Sequence, residues 1–240
     1  MKIKAILFDL DGTLLPMDQD VFVKAYFGGL SAALIPHGYE PKSLVNAIWN
    51  GTAAMIKNDG KTTNEAAFWN AFSKIYGENV RDDEPKFDAF YRSADGFDKV
   101  KDHLGYNPKA SETIRLAKEL GLRLVLATNP IFPSIATEKR IKWAGLNESD
   151  FELYTTYENS HFCKPNLSYY KEILNKCGLV AEECIMVGND VGEDMIAREL
   201  GMTVFLLTDC LINKTEKSVS DFPSGGFDEL VEFIKSHAST

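Results

Sequence analysis

Four short runs of apolar residues, with little alternation, punctuate the chain: IKAILF (3–8), LRLVLA (122–127), CIMVG (184–188) and TVFLL (203–207). Runs of this length and uniformity predict strands buried on both faces. Amphipathic segments stand between them. SETIRLAKELG (111–121) sets Ile114, Ala117 and Leu120 on one helical face and stops at Gly121. NLSYYKEILNKCG (166–178) aligns Leu167, Tyr170, Ile173, Leu174 and Cys177 and stops at Gly178. FELYTTYE (151–158), of more mixed polarity, predicts one further strand. Strand and helix in alternation imply an α/β fold built on a parallel sheet.

Residues 17–105 break this rhythm. They carry helical periodicity and no buried strand run. KSLVNAIWNGTAAMI predicts a helix with Leu44, Val45, Ile48, Trp49, Met55 and Ile56 on one face. TTNEAAFWNAFSKIYG reads as a second, opened by a capping box from Thr62 to Glu65 and striped by Phe68, Trp69, Phe72, Ile75 and Tyr76. Helix packing alone accounts for that aromatic stripe, so it is expected to be core. The division expected is a core of residues 1–16 and 106–240 with a helical cap, 17–105, inserted after the first strand. Hinges would lie near Leu15 to Asp18 and Tyr106 to Pro108.

Composition narrows the partners. The chain has 240 residues, 45% of them hydrophobic and 25% charged, enough for one substantial core and a smaller lobe. Its net charge of -9 has the wrong sign for binding a phosphate backbone, so nucleic acid is not an expected partner. Cys163, Cys177, Cys184 and Cys210 form no C-x-x-C pair and have no histidine at zinc-ligand spacing, which predicts free thiols in a reducing compartment. No signal-peptide pattern and no membrane-length apolar run occur, so a cytoplasmic protein, monomer or homodimer, is expected.

The chemistry begins where the first apolar run ends, in ILFDLDGTLL (6–15). Alternation along a strand sends Asp9 and Asp11 to one side and Leu10 to the other. Two carboxylates at the carboxyl end of a parallel strand repel each other unless a proton or a hard cation such as Mg²⁺ intervenes. Gly12 permits a tight turn, and Thr13 brings a hydroxyl and an amide. An EF-hand beginning at Asp9 fails, because Leu14 would stand where the turn glycine belongs. A helix cap or a solvated turn is the plainer reading of the two acids taken alone.

DLDGT is similar to the first motif, D-x-D-x-T, of the haloacid dehalogenase-like hydrolase superfamily. The later motifs of that family stand in order along nearly the whole chain: Thr128 and Asn129 in ATNP, Lys164 in CKPN, and Asp190 and Asp194 in MVGNDVGED. Singly, each has a plain structural reading, as a strand-to-loop turn, a solvated lysine, or acids in the first turn of a helix. Their joint order carries the resemblance.

The resemblance implies a Rossmann-like doubly wound sheet with a helical cap, and a Mg²⁺-dependent phosphatase acting on a small phosphorylated metabolite. Asp9 would be the nucleophile, forming an aspartyl-phosphate, and Asp11 the general acid and base. Thr128, Asn129 and Lys164 would hold the phosphoryl group. The Asp9 carboxylate, the Asp11 carbonyl and Asp190 would hold Mg²⁺, with Asp194, Gly12, Thr13 and Asn189 in support. Asn189 fills the slot after the motif glycine where many family members carry aspartate, which leaves the register open; Asp190 is assigned to the metal, and Asp194 to support, ligating through water or holding Lys164. Relatives that cleave carbon–halogen bonds usually lack an acid at position 11. A phosphomutase, a phosphonate hydrolase or a non-catalytic phosphate-binding protein would share these residues. Lys57, Arg81 and Arg92 are the cap cations available to an anionic substrate.

Overall fold

The computed structural model, which describes residues 2–238, places the four apolar runs side by side in one sheet. Its strands are β1 (Ala5–Phe8), β2 (Arg123–Leu126), β3 (Leu153–Tyr154), β4 (Cys184–Gly188), β5 (Thr203–Leu207) and β6 (Ser224–Gly225). All neighbours pair parallel, in the order β3-β2-β1-β4-β5-β6. The chain thus winds outward from β1 in both directions, a Rossmann-like doubly wound sheet, and the strand order reverses beside β1. In the central register Phe8 lies opposite Leu126 on one side and Val187 on the other.

Alternate residues of the strands serve two cores. Ile6, Phe8, Leu124, Leu126, Ile185 and Val187 face one side, Ala5, Leu7, Val125, Cys184, Met186 and Val204 the other. Each face is covered, which is why these strands read as continuous apolar runs. The first face packs against α5 (Pro108–Glu119), α6 (Ser134–Trp143) and α8 (Phe227–Ala238); the second takes α7 (Leu167–Cys177) and the 3₁₀ turn Met195–Leu200. Leu120 falls outside α5 and is 39% exposed, so the apolar face of that helix ends with Ala117. FELYTTYE contributes only the two residues of β3, in keeping with its mixed polarity and its place at the sheet edge.

Between β1 and α5 the chain forms α1 (Gln19–Leu34), α2 (Pro41–Ile56), α3 (Asn64–Tyr76) and α4 (Glu84–Arg92) with short 3₁₀ turns. Asp18 caps α1, its carboxylate accepting from the N–H groups of Asp20 and Val21 at 2.9 and 3.0 Å. Thr63, not Thr62, caps α3, accepting from the Ala66 N–H; Glu65 pairs with Arg81 instead of closing a capping box. The two passages into and out of this helical segment touch, since Gly105 N–H donates to the Pro16 carbonyl at 2.8 Å. No helix among the described residues is long and apolar enough to cross a membrane.

Candidate active site

The loop after β1 is anchored from its apolar side. Leu10, Leu14 and Leu15 are wholly buried, and the Leu10 carbonyl accepts from the N–H groups of Thr13 and Leu15 at 3.2 and 2.8 Å. Asp9 is fixed to the neighbouring strand by its own N–H, which donates to the Val187 carbonyl at 2.9 Å. With the leucines turned inward, Asp9 and Asp11 both line one cavity of about 340 Å³. Gly12 turns at φ +85°, and any side chain there would collide with the Asn189 amide.

Lys164 reaches Asp9 from the segment just before α7. It is 2% exposed, and its Nζ donates to Asp9 Oδ1 at 2.8 Å and to Asp194 Oδ1 at 2.6 Å. Burial alone would push this ammonium down, yet the Asp194 and Asp9 carboxylates outweigh it and hold the pKa well above the ordinary lysine value. Lys164 therefore stays charged. Asp194 commits both oxygens, since Oδ2 accepts the Asp190 N–H at 3.0 Å. Asp190 turns Oδ1 to the N–H groups of Gly192 and Glu193, at 2.7 and 2.9 Å.

The remaining expected residues gather around the same point. The Thr13 hydroxyl lies 3.0 Å from both Asp9 Oδ2 and Asn189 Oδ1, one proton facing two acceptors. Asn189 is oriented by its amide, which donates to the Cys210 carbonyl at 2.7 Å. Thr128 lines the cavity, its carbonyl held by Thr155 Oγ1 at 2.6 Å and the Tyr169 hydroxyl at 2.8 Å. Asn129 accepts from the Lys164 N–H at 3.2 Å and donates to Glu193 Oε2 at 3.1 Å. The cap cations are not brought in. Arg81 pairs with Glu65 and Glu84, Arg92 with Asp88, Lys57 is exposed, and none lines the cavity.

Of two further groups at this site, one escaped the sequence reading and the other was read only as an acid in a helix's first turn. Arg140 on α6 is wholly buried, donates to Asp11 Oδ2, and lies 4.5 Å above the centre of the Phe132 ring. Its signal was its spacing: with Ala136, Thr137 and Ile141 it occupies the inward stripe of α6, where a charge requires a partner. Burial pushes the Asp11 carboxyl above its ordinary value, and Arg140 opposes that without reversing it. Glu193 is the second. Burial raises it to about 7, against the attraction of Lys164 and with repulsion from Asp190 and Asp9.

Asp9, Asp11, Asp190, Glu193 and Asp194 all line the cavity, while Lys164 and Arg140 are the cations bonded to acids among them. Asp11 Oδ1 is buried and has no hydrogen-bond partner. A surplus of hard oxygen donors with one of them unsatisfied fits a hard divalent cation. Among the described residues no three His, Cys, Asp or Glu side chains cluster as a metal cage. The set expected here needs only two carboxylates, with the Asp11 carbonyl as the third donor, and so remains compatible with the geometry.

Comparison with known proteins gives a consistent picture. The profile of the haloacid dehalogenase-like hydrolases matches residues 3–200. A protein of Methanocaldococcus jannaschii named glyceraldehyde 3-phosphate phosphatase is 28% identical over 241 residues, 97% of each chain. Among solved structures, a phosphatase of Thermococcus onnurineus aligns with TM-score 0.59 and 17% identity over 97% of this chain and 98% of that one. A 2-haloacid dehalogenase of Pseudomonas syringae pv. Tomato aligns with TM-score 0.63 and 18% identity over 98% and 99%. At those identities the structural likeness speaks for the fold.

Proposed function

The chain belongs to the haloacid dehalogenase-like hydrolase family and is a phosphoric monoester hydrolase by class, and from that premise we propose that it hydrolyses a small phosphorylated metabolite through a phosphoryl group carried on Asp9. One observation carries the reading: the Asp9 carboxylate is held at the cavity floor by Lys164, with a second acid, Asp11, lining the same cavity two residues on.

A carboxylate attacks phosphorus without first losing a proton, and Lys164, fixing Asp9 Oδ1, keeps the nucleophile in one orientation. As the Asp9–P bond forms, the P–O bond to the alcohol breaks, and Asp11 delivers its proton to the leaving oxygen. Asp11 then takes a proton from the water that attacks phosphorus, and the Asp9–P bond breaks to release phosphate. Burial favours the protonated Asp11 that the first half requires. In this reading Thr128 and Asn129, which line the cavity, and Lys164, bonded to Asp9 behind it, meet the phosphoryl oxygens.

Asp9, the Asp11 carbonyl and Asp190 would hold the divalent metal, Mg²⁺ in this reading. When bound, it neutralises charge on the phosphoryl oxygens. Residues 17–105 act as a cap that excludes water, swinging on the paired passages at Pro16 and Gly105. The four unpaired cysteines suit a cytoplasmic setting. Release of p-nitrophenol from p-nitrophenyl phosphate, with Mg²⁺ or with a chelator, tests the reading. Activity dependent on metal and abolished by Asp9→Asn supports it; activity retained by Asp9→Asn rejects it.

A further inference from the structure

The cavity has two unlike halves. Its floor carries the acids, Thr128 and Asn129, whereas the lining supplied by residues 17–105 contains no Asp, Glu, Lys, Arg or His. Rings from all four inserted helices face this space, among them Phe27, Trp49, Phe68 and Tyr91, and Phe132 adds one from the core. The Tyr91 hydroxyl is already bonded to that of Tyr26, at 2.8 Å. The polar groups left to this upper half are few: Gln19, Thr52, the Tyr157 hydroxyl and the Trp69 indole N–H, which is buried without a partner.

A substrate whose phosphorus meets Asp9 must place its alcohol portion against these rings. A second carboxylate or phosphate there would leave water without gaining a cation, and a polyol would lose more hydrogen bonds to water than these few groups return. An uncharged ring or alkyl chain gains contact with aromatic walls. We infer that the substrate is a phosphate monoester whose alcohol portion is uncharged and apolar, with an aromatic ring as the best match to the cavity.

The inference rests on the phosphatase reading and separates this chain from its Methanocaldococcus relative, whose name specifies a polar triose phosphate. It also accounts for the exposure of Trp49, 49% solvent-accessible on a helix face that packing alone would bury.

The test compares kcat/KM of the full-length protein for 2-phenylethyl phosphate, glycerol 3-phosphate and phosphoglycolate. The first two release primary alkoxides of similar basicity, so their difference reports binding in the cavity and not leaving-group chemistry. The expected result is a preference of at least about tenfold for 2-phenylethyl phosphate over either polar substrate, reduced several-fold by Trp49→Ala. Equal or greater kcat/KM for glycerol 3-phosphate or phosphoglycolate overturns the substrate class while leaving the phosphatase reading intact. Failure to release phosphate from any of the three, and from acetyl phosphate, overturns the phosphatase reading and the substrate class with it.

Discussion

Arg140 and Asp11 form an ion pair in which the guanidinium is wholly buried and the carboxylate side chain keeps 23% of its surface exposed, toward the cavity. One partner is wholly buried, and the other lines the cavity. The bond occupies Asp11 Oδ2, and Oδ1 is buried without a partner, so Arg140 fixes the orientation of the carboxyl that the mechanism uses.

Arg140→Met is therefore expected to lower kcat about 10- to 100-fold with little change in KM. The loss should be larger for an alkyl phosphate, whose leaving oxygen needs the proton, than for p-nitrophenyl phosphate, whose leaving oxygen hardly does. Arg140→Lys should restore part of it. Steady-state kinetics on both substrates, with a melting curve for each variant, distinguish positioning from simple unfolding.

The two acids after β4 should separate by role. Asp194 spends one oxygen on Lys164 and the other on the Asp190 backbone, whereas Asp190 commits Oδ1 alone to its own turn. Asp190→Asn is expected to weaken Mg²⁺ binding by at least about tenfold, and Asp194→Asn by less. A Mg²⁺ titration followed by activity and by calorimetry orders them; the reverse order reassigns the ligand.

Gly188 ends β4 with the Asp194 carboxylate packed where a side chain would be, and Gly28 in α1 faces open space. Gly188→Ala should cost about 1–3 kcal/mol of stability and disturb Lys164 through Asp194. Gly28→Ala should instead stabilise by roughly 0.5–1 kcal/mol, by relieving the helix of a glycine. Denaturant melts of the two variants give opposite shifts if the packing is as described.

Asn64, wholly buried at the start of α3, ties the inserted helices to the loops that carry Asn129 and Lys164. Its amide nitrogen donates to the carbonyls of Pro130 and Phe162 at 3.2 and 3.3 Å, and its N–H to Ser160 at 2.8 Å. Asn64→Ala keeps the backbone bond and strands the two carbonyls, at an expected cost of about 1–3 kcal/mol. A thermal melt checks this.

The sheet was legible because its strands are buried on both faces, which leaves unbroken apolar runs such as CIMVG. β6, only Ser224–Gly225, carries no such run and was invisible. Asp9 and Asp11 could be set together by strand alternation, whereas Lys164, Asp190 and Asp194 joined them only through the order of the motifs shared with the family. Arg140 could not, since it stands in none of those motifs and only the folded chain brings it to Asp11. The aromatic stripe of α3 divides in a way periodicity does not resolve. Phe72 is core, while Phe68 and Trp69 also line the cavity, because α3 packs on α2 and meets the loop after β3 at once.

The central claim is that Asp9 carries the phosphoryl group during turnover. Acid quenching of the protein in the presence of Mg²⁺ and p-nitrophenyl phosphate, followed by peptide mass analysis, tests it most directly. The account predicts a hydroxylamine-labile phosphoryl group on the peptide containing Asp9, absent from Asp9→Asn and accumulating in Asp11→Asn, where the water-activating acid is lost. Turnover with no acyl-phosphate on Asp9 in any of the three proteins, or trapping on another residue, would contradict it.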